Sequence, residues 1–157
     1  MILLVCGGRD YRDRDMVWGT LDAALHYANL EEIICGYDPD DKRYQGADQL
    51  AYEWAQENEF PCRHYPADWS KGRSAGPVRN SVMAAQKPDE CIAFPRANGE
   101  WGSGTLDMIG KAARAGAIVE RVFRPAENSA NSPSNASASA PATDTPLIPT
   151  QESEDGR

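Results

Sequence analysis

The chain has 157 residues, of which 41% are hydrophobic, and a formal net charge of −8, which predicts one globular domain with a single core. The acidic balance excludes the broad basic face that non-specific nucleic-acid binding needs, so we expect no nucleic-acid partner. No apolar stretch reaches the ~20 residues of a membrane span, and residues 1–6 lack the basic start of a signal peptide, so we expect a cytoplasmic protein without a membrane partner.

Strand and helix signals alternate over the first 125 residues. In chain order they predict a strand over 2–6, a helix over 15–29, a strand over 32–35, a helix over 48–58, a strand over 61–65, a helix over 77–85, a strand over 90–94, a helix over 103–115 and a strand over 117–123. The strands are short apolar runs, and the helices repeat apolar residues three and four apart. The sequence therefore predicts an α/β fold: a Rossmann-like, doubly wound, mostly parallel five-stranded sheet with helices on both faces.

The composition changes after Pro125. Residues 126–157 are acidic, rich in Ser, Ala and Pro, and contain no aromatic residue. Such a segment buries too little surface to offset the entropy of ordering, which predicts a folded domain over 1–125 and a disordered tail over 126–157. A short partner-docking motif around Pro146–Pro149 is the alternative interpretation of the tail.

The four cysteines predict neither a metal site nor a disulfide framework. Cys6, Cys35, Cys62 and Cys91 form no CxxC pair and have no histidine at metal-ligand spacing. We expect them to be small buried residues in a reducing compartment. No motif in the sequence calls for a cofactor.

The four strand-to-helix loops are the candidate site, because ligands of parallel sheets bind beyond the carboxyl ends of the strands. In the first loop, Gly7 and Gly8 let the backbone approach a ligand closely. Arg9, which is followed by Asp10, can bind a phosphate through two N–H groups of its guanidinium. A tight turn, with Arg9 and Asp10 paired to each other or to neighbouring residues, is the alternative. In the second loop Asp48 either caps the next helix or binds a ribose hydroxyl.

The third loop, residues 68–80, gathers positive charge in an acidic protein. Gly76 and Pro77 are expected to open a helix whose free amide hydrogens attract an anion, with Arg79 and Asn80 in its first turn. Trp69 either stacks on a base or covers the core. The candidate ligand-binding residues of this loop are Trp69, Lys71, Arg73, Gly76, Arg79 and Asn80.

The fourth loop supplies a second place for a phosphate. Gly102, Ser103, Gly104 and Thr105 offer open amide hydrogens and a hydroxyl at a predicted helix start. The loop lacks the lysine of a Walker A motif, which excludes a P-loop NTPase.

The four motifs GGRDY, GAD, AGPVRN and GSGT together resemble the SLOG superfamily, and more narrowly its YspA/YpsA-related branch of bacteria, phages and plasmids. The resemblance covers about residues 1–123. It implies kinship with the LOG phosphoribohydrolases, which release a base from a nucleoside monophosphate, and with DprA, which handles single-stranded DNA. It also implies a homodimer and a nucleotide-derived small-molecule partner.

One departure from the LOG pattern bears on catalysis. The glutamate of the motif PGGxGTxxE is replaced here by Met108, and Asp107 stands one residue earlier. Cleavage of an N-glycosidic bond needs an acid, so the departure favours binding over hydrolysis. The first hypothesis is therefore a sensor or sequestering module for a nucleotide-derived ligand. The second is a nucleotide N-glycosidase with Asp107, Glu100 or Asp48 as acid, and the third is a DNA-processing or protein-interaction accessory protein.

Overall fold

A computed structural model describes residues 1–123 of the chain. Its elements are β1 (Ile2–Gly7), α1 (Arg14–Tyr27), β2 (Glu32–Cys35), α2 (Ala47–Glu57), β3 (Cys62–His64), a 3-10 helix (Trp69–Ser74), α3 (Ala75–Ala84), β4 (Glu90–Phe94), α4 (Ser103–Arg114) and β5 (Ile118–Arg121). The predicted alternation of strands and helices is confirmed. The predicted tail and its docking motif lie outside the described residues.

The five strands form one parallel sheet in the order β3-β2-β1-β4-β5. The chain runs outward from β1 to β3 and then crosses back to place β4 on the other side of β1. The strand order therefore reverses between β1 and β4, which is where open parallel sheets of this kind bind ligands. The predicted Rossmann-like α/β fold is confirmed.

The sheet has a separate apolar core on each face. Alternate β1 side chains point to opposite faces, with Leu3 and Val5 in one core and Leu4 and Cys6 in the other. Helices α1 and α2 cover the first core, and α3 and α4 cover the second. The first core holds Trp54, which is fully buried and donates its indole N–H to Asp22 Oδ1 at 2.8 Å.

The chain between β3 and α3 differs from the sequence prediction. A loop was expected up to Gly76, with Pro77 in the first helical position. In the structure a 3-10 helix fills Trp69–Ser74 and α3 begins at Ala75, so Pro77 is its third residue. Proline fits there because the N–H groups of a first helical turn have no partner within the helix. The Ala75 N–H donates to the Gly72 carbonyl, so the start of α3 is less open than predicted.

Cys6, Cys35 and Cys91 are buried, as expected, whereas Cys62 on β3 is only half-buried. All four are free thiols. Within residues 1–123, no group of three or more His, Cys, Asp or Glu side chains has an arrangement that could hold a metal ion. None of the helices in this range is both long and apolar enough to cross a bilayer.

Candidate functional site

A cavity of about 640 Å³ lies at the carboxyl ends of the central strands, where the strand order reverses. This volume is within the usual range for small-molecule sites. All four loops that the sequence singled out contribute to its wall. The predicted residues that line it are Gly7, Gly8, Arg9, Asp10, Asp48, Trp69, Arg73, Gly76, Arg79, Asn80, Gly102, Ser103, Gly104, Thr105 and Asp107.

Two predicted residues do not line the cavity. Lys71 is exposed and its Nζ lies 3.2 Å from Asp68 Oδ2. Glu100 is also exposed, and its carboxylate accepts a hydrogen bond of 2.9 Å from Asn98 Nδ2. Neither side chain is placed to contact a ligand in this cavity.

The cavity also contains side chains that sequence reasoning missed, namely Arg12, Asp38, Asp41, Gln45 and Arg96. Arg96 had a detectable signal, because it stands two residues beyond β4, at the edge where ligands of parallel sheets bind. The others stand in long polar loops, where the sequence alone does not show which side chains turn inward.

The floor of the cavity is built around Arg79 and the peptide of Gly36. Arg79 Nη1 donates to the Gly36 carbonyl at 2.5 Å and to the Tyr65 carbonyl at 3.2 Å. These carbonyls lie just beyond the ends of β2 and β3, so the α3 guanidinium ties both strand ends together. Arg79 Nε donates a third hydrogen bond, to Asn80 Oδ1. Within residues 1–123, Arg79 Nη2 makes no hydrogen bond.

Asp48 binds the other side of the same peptide. Its Oδ1 accepts the Gly36 N–H at 2.7 Å. The N-cap of α2 is Gly46, so the interpretation of Asp48 as the helix cap is wrong. Burial raises the pKa of Asp48, although the Arg79 charge and the N–H groups of Gly36 and Gly7 act in the opposite direction.

Position 46 requires glycine because the backbone there lies against the backbone of Gly8. It has φ of 62° and ψ of −133°, and a Cβ at this position would lie 1.8 Å from the Gly8 carbonyl oxygen. Only glycine fits both the conformation and the space. The first and second loops therefore touch through their backbones beside the cavity.

Asn80 joins α3 to the start of α4. Its Oδ1 accepts from Arg79 Nε at 3.0 Å, and its Nδ2 donates to the Gly104 carbonyl at 3.1 Å and to Asp107 Oδ2 at 2.9 Å. Asn80 is only 4% exposed. Its amide is thus fully engaged within the protein, and it positions Arg79 and Asp107.

Five arginines line the cavity, and none has a carboxylate within 4.0 Å in the part of the chain that the structure describes. Arg79 is bound to backbone carbonyls, whereas the side chains of the other four make no hydrogen bond to those residues: Arg9, Arg12, Arg73 and Arg96. Two of the cavity carboxylates, by contrast, are neutralised. Asp41 is bound by Arg43, whose hydrogen bonds lower the pKa of Asp41 to about 2. Asp107 is bound by Lys111 at 2.7 Å. Asp10, Asp38 and Asp48 also line the cavity without an ion pair, so the five unpaired arginines outnumber three unpaired carboxylates.

The first loop forms the tight turn of the alternative interpretation, closed by the Tyr11 N–H on the Gly8 carbonyl at 3.1 Å, but Arg9 and Asp10 pair with neighbours and not with each other. The Arg9 guanidinium instead lies over the Trp69 ring, 4.7 Å from its centroid. Asp10 accepts a hydrogen bond of 3.2 Å from the Ala97 N–H. Trp69 is 40% exposed and belongs to neither core, so it does not cover the core as the alternative interpretation proposed.

Comparison with known proteins identifies the family. A family model described as the YspA, cpYpsA-related SLOG family matches residues 1–72. The Gene 61 protein of Mycobacterium phage D29 is 33% identical over 124 residues, which cover 74% of this chain and 92% of that relative. The chain belongs to the YspA/cpYpsA-related SLOG family. The resemblance inferred from the loop motifs is confirmed, and SLOG membership indicates a nucleotide-related function.

The acid chemistry of this SLOG chain is limited by the surroundings of Asp107. Burial alone raises the pKa of Asp107, but hydrogen bonds from Lys111 and Asn80 outweigh it, and the net pKa lies below the ordinary value. A general acid must hold a proton near neutral pH. Asp107 is therefore an ionised carboxylate and is not suited to protonate a leaving base.

Proposed function

We propose that the chain binds a nucleotide or nucleotide-derived ligand through its phosphate, as a sensor or sequestering module. The observation that carries the proposal is the set of five cavity arginines without an ion pair, four of which also make no side-chain hydrogen bond within residues 1–123. Guanidinium groups gathered in one cleft repel each other, and a bound anion relieves that repulsion. Arginine also matches phosphate oxygens in a two-pronged geometry.

The start of α4 offers a second place for an anion. Gly102 precedes α4 without a side-chain cap, and Ser103, Gly104 and Thr105 line the cavity. Helix N-termini favour anions such as phosphate because their amide hydrogens and dipole act together. Trp69 in the same wall is 40% exposed and already stacks with the Arg9 guanidinium, and a base is proposed to extend that stack.

Hydrolysis of the ligand is the weaker candidate. Asp107 is held ionised by Lys111, and Glu100 does not line the cavity. Asp48, the third candidate acid, lines the cavity with a pKa raised by burial, but its carboxylate is engaged by the Gly36 N–H in the cavity floor. With no acid free to protonate a leaving base, the ligand is expected to stay intact. The homodimer implied by the resemblance stays a prediction, which sedimentation velocity tests.

Thermal melting with a panel of nucleotides tests the proposal. The full chain is heated with AMP, ADP-ribose, NAD or cyclic dinucleotides, and released base is followed by chromatography. A ligand at a hundred times its Kd stabilises the protein by about 2.7 kcal/mol. We expect one nucleotide class to raise the melting temperature without base release, and Arg73→Ala to reduce the shift. Arg114→Ala removes the same charge outside the cavity and serves as the matched control.

Three results would contradict the proposal. If no nucleotide changes the melting temperature, the cavity is not a nucleotide site. If base is released and Asp107→Asn abolishes the release, the protein is an N-glycosidase. If single-stranded DNA binds with a steep dependence on salt, the accessory role in DNA processing is favoured.

A further inference from the structure

Arg96 is held in a fixed position at the edge of the sheet. Its N–H donates to the Glu100 carbonyl at 2.8 Å, and its carbonyl accepts from the Gly99 N–H at 2.9 Å. The next residue, Ala97, donates its N–H to Asp10 in the first loop. The backbone beneath the Arg96 side chain is thus closed into a turn and tied to the loop that follows β1.

The Arg96 side chain runs between two glycines of the cavity wall. A Cβ at Gly8 would lie 2.7 Å from Arg96 Cα and 3.0 Å from its Cγ. A Cβ at Gly102 would lie 2.9 Å from Arg96 Nε. Both glycines therefore leave room for this arginine, and its guanidinium lies beside the residue that precedes α4.

A cation at this place is unfavourable without an anion, because a helix N-terminus already carries partial positive charge. Within residues 1–123 the Arg96 guanidinium makes no hydrogen bond or ion pair, and the N–H groups of Ser103 and Gly104 have no acceptor. Glu100, the nearest acid in sequence, is bound to Asn98 instead.

Thr105 provides an independent observation at the same point. The residue lines the cavity and is only 6% exposed. Its hydroxyl has no hydrogen-bond partner among the described residues. In that range, every side-chain oxygen that is shielded from solvent has a partner, so an oxygen without one is in contact with solvent. The hydroxyl is therefore open to the cavity. Guanidinium, helix amides and hydroxyl thus line one cavity as donors that have no acceptor among the described residues.

We propose that Arg96 is the residue that makes this site select a phosphoryl group, by holding it between the guanidinium and the first turn of α4. The identity of the ligand rests on the proposed function, whereas the phosphoryl contact is a separate claim about Arg96. Arg96 supplies two parallel N–H donors, the first turn of α4 beside it supplies amide donors, and Thr105 supplies a hydroxyl. A nucleoside without phosphate makes none of these contacts.

Amide chemical shifts of the ¹⁵N-labelled full chain test this assignment. The probes are inorganic phosphate, AMP and adenosine, and the signals followed are those of Ser103, Gly104 and Thr105. We expect saturable shifts with phosphate and AMP but not with adenosine. Arg96→Gln keeps most of the side-chain stem and removes the charge, and it should weaken phosphate binding about tenfold or more. Arg114→Gln removes the same charge at the far end of α4, outside the cavity, and is the matched control. It should leave the Kd for phosphate unchanged.

The results separate this inference from the proposed function. Equal phosphate affinity in the wild type and in Arg96→Gln overturns the inference, as do shifts centred away from the start of α4. If Arg96→Gln does not fold, Arg96→Lys is used: it keeps the charge, loses the two-pronged contact, and should still weaken phosphate binding severalfold. Phosphate binding that depends on Arg96, without stabilisation by any nucleotide, supports the inference and contradicts the proposed function. Nucleotide binding with unchanged affinity in Arg96→Gln supports the proposed function and contradicts the inference.

Discussion

Replacement of Arg79 by alanine should destabilise the fold itself. The side chain makes three hydrogen bonds, to the Gly36 and Tyr65 carbonyls and to the Asn80 amide oxygen. A hydrogen bond from a charged group contributes about 1.5–3 kcal/mol, so three of them set an upper limit of roughly 9 kcal/mol. Arg79 is only half-buried and borders the cavity, so water replaces part of these bonds. We therefore expect a loss of about 2–4 kcal/mol, a large fraction of a typical domain's stability.

Urea unfolding followed by tryptophan fluorescence measures this loss. Arg73→Ala is the matched control, because Arg73 lines the same cavity but makes no side-chain hydrogen bond or ion pair with residues 1–123. The control should change the free energy of unfolding by less than about 0.5 kcal/mol. A loss below about 1 kcal/mol for Arg79→Ala, or equal losses for both variants, would refute the structural role of Arg79.

Three further substitutions test other parts of the structure. Gly46→Ala should cost more than about 3 kcal/mol, seen as a large fall in melting temperature by circular dichroism, because its Cβ meets the Gly8 carbonyl. Trp54→Ala should cost about 3–5 kcal/mol in urea unfolding, and a loss near zero would contradict its full burial. Asp107→Asn should cost about 1–2 kcal/mol at pH 7, where the carboxylate is ionised and bound to Lys111. Because the folded-state pKa of Asp107 is lowered, its contribution is present above about pH 4 and is lost as the pH falls through that folded pKa, so the two proteins should converge in acid.

The location of the cavity could be predicted because strand order alone brings the loops together. Once the strands are parallel, every strand-to-helix loop lies at the same edge, however far apart the loops are in sequence. Gly7 and Gly104 are separated by almost a hundred residues, and both line the cavity. Their glycine content marked them before any contact was known.

Residue types alone could not predict which arginine is bound to the floor of the cavity and which stands at its rim without a partner. Arg79 and Arg73 both looked like phosphate contacts, but Arg79 binds the Gly36 carbonyl, 43 positions away in the chain. That contact depends on the packing of α3 against the end of β2, which has no local sequence signal. The 3-10 helix before α3 was missed for a different reason, because its short-range hydrogen bonds compete closely with those of a polar loop.

The peptide of Gly36 is saturated by charged side chains, with Asp48 on its N–H and Arg79 on its carbonyl. A molecule that competed for either group would have to break one of these two bonds. Substitutions among the cavity arginines that make no hydrogen bond or ion pair with residues 1–123 should therefore change what the cavity accepts while the contacts of this peptide stay in place.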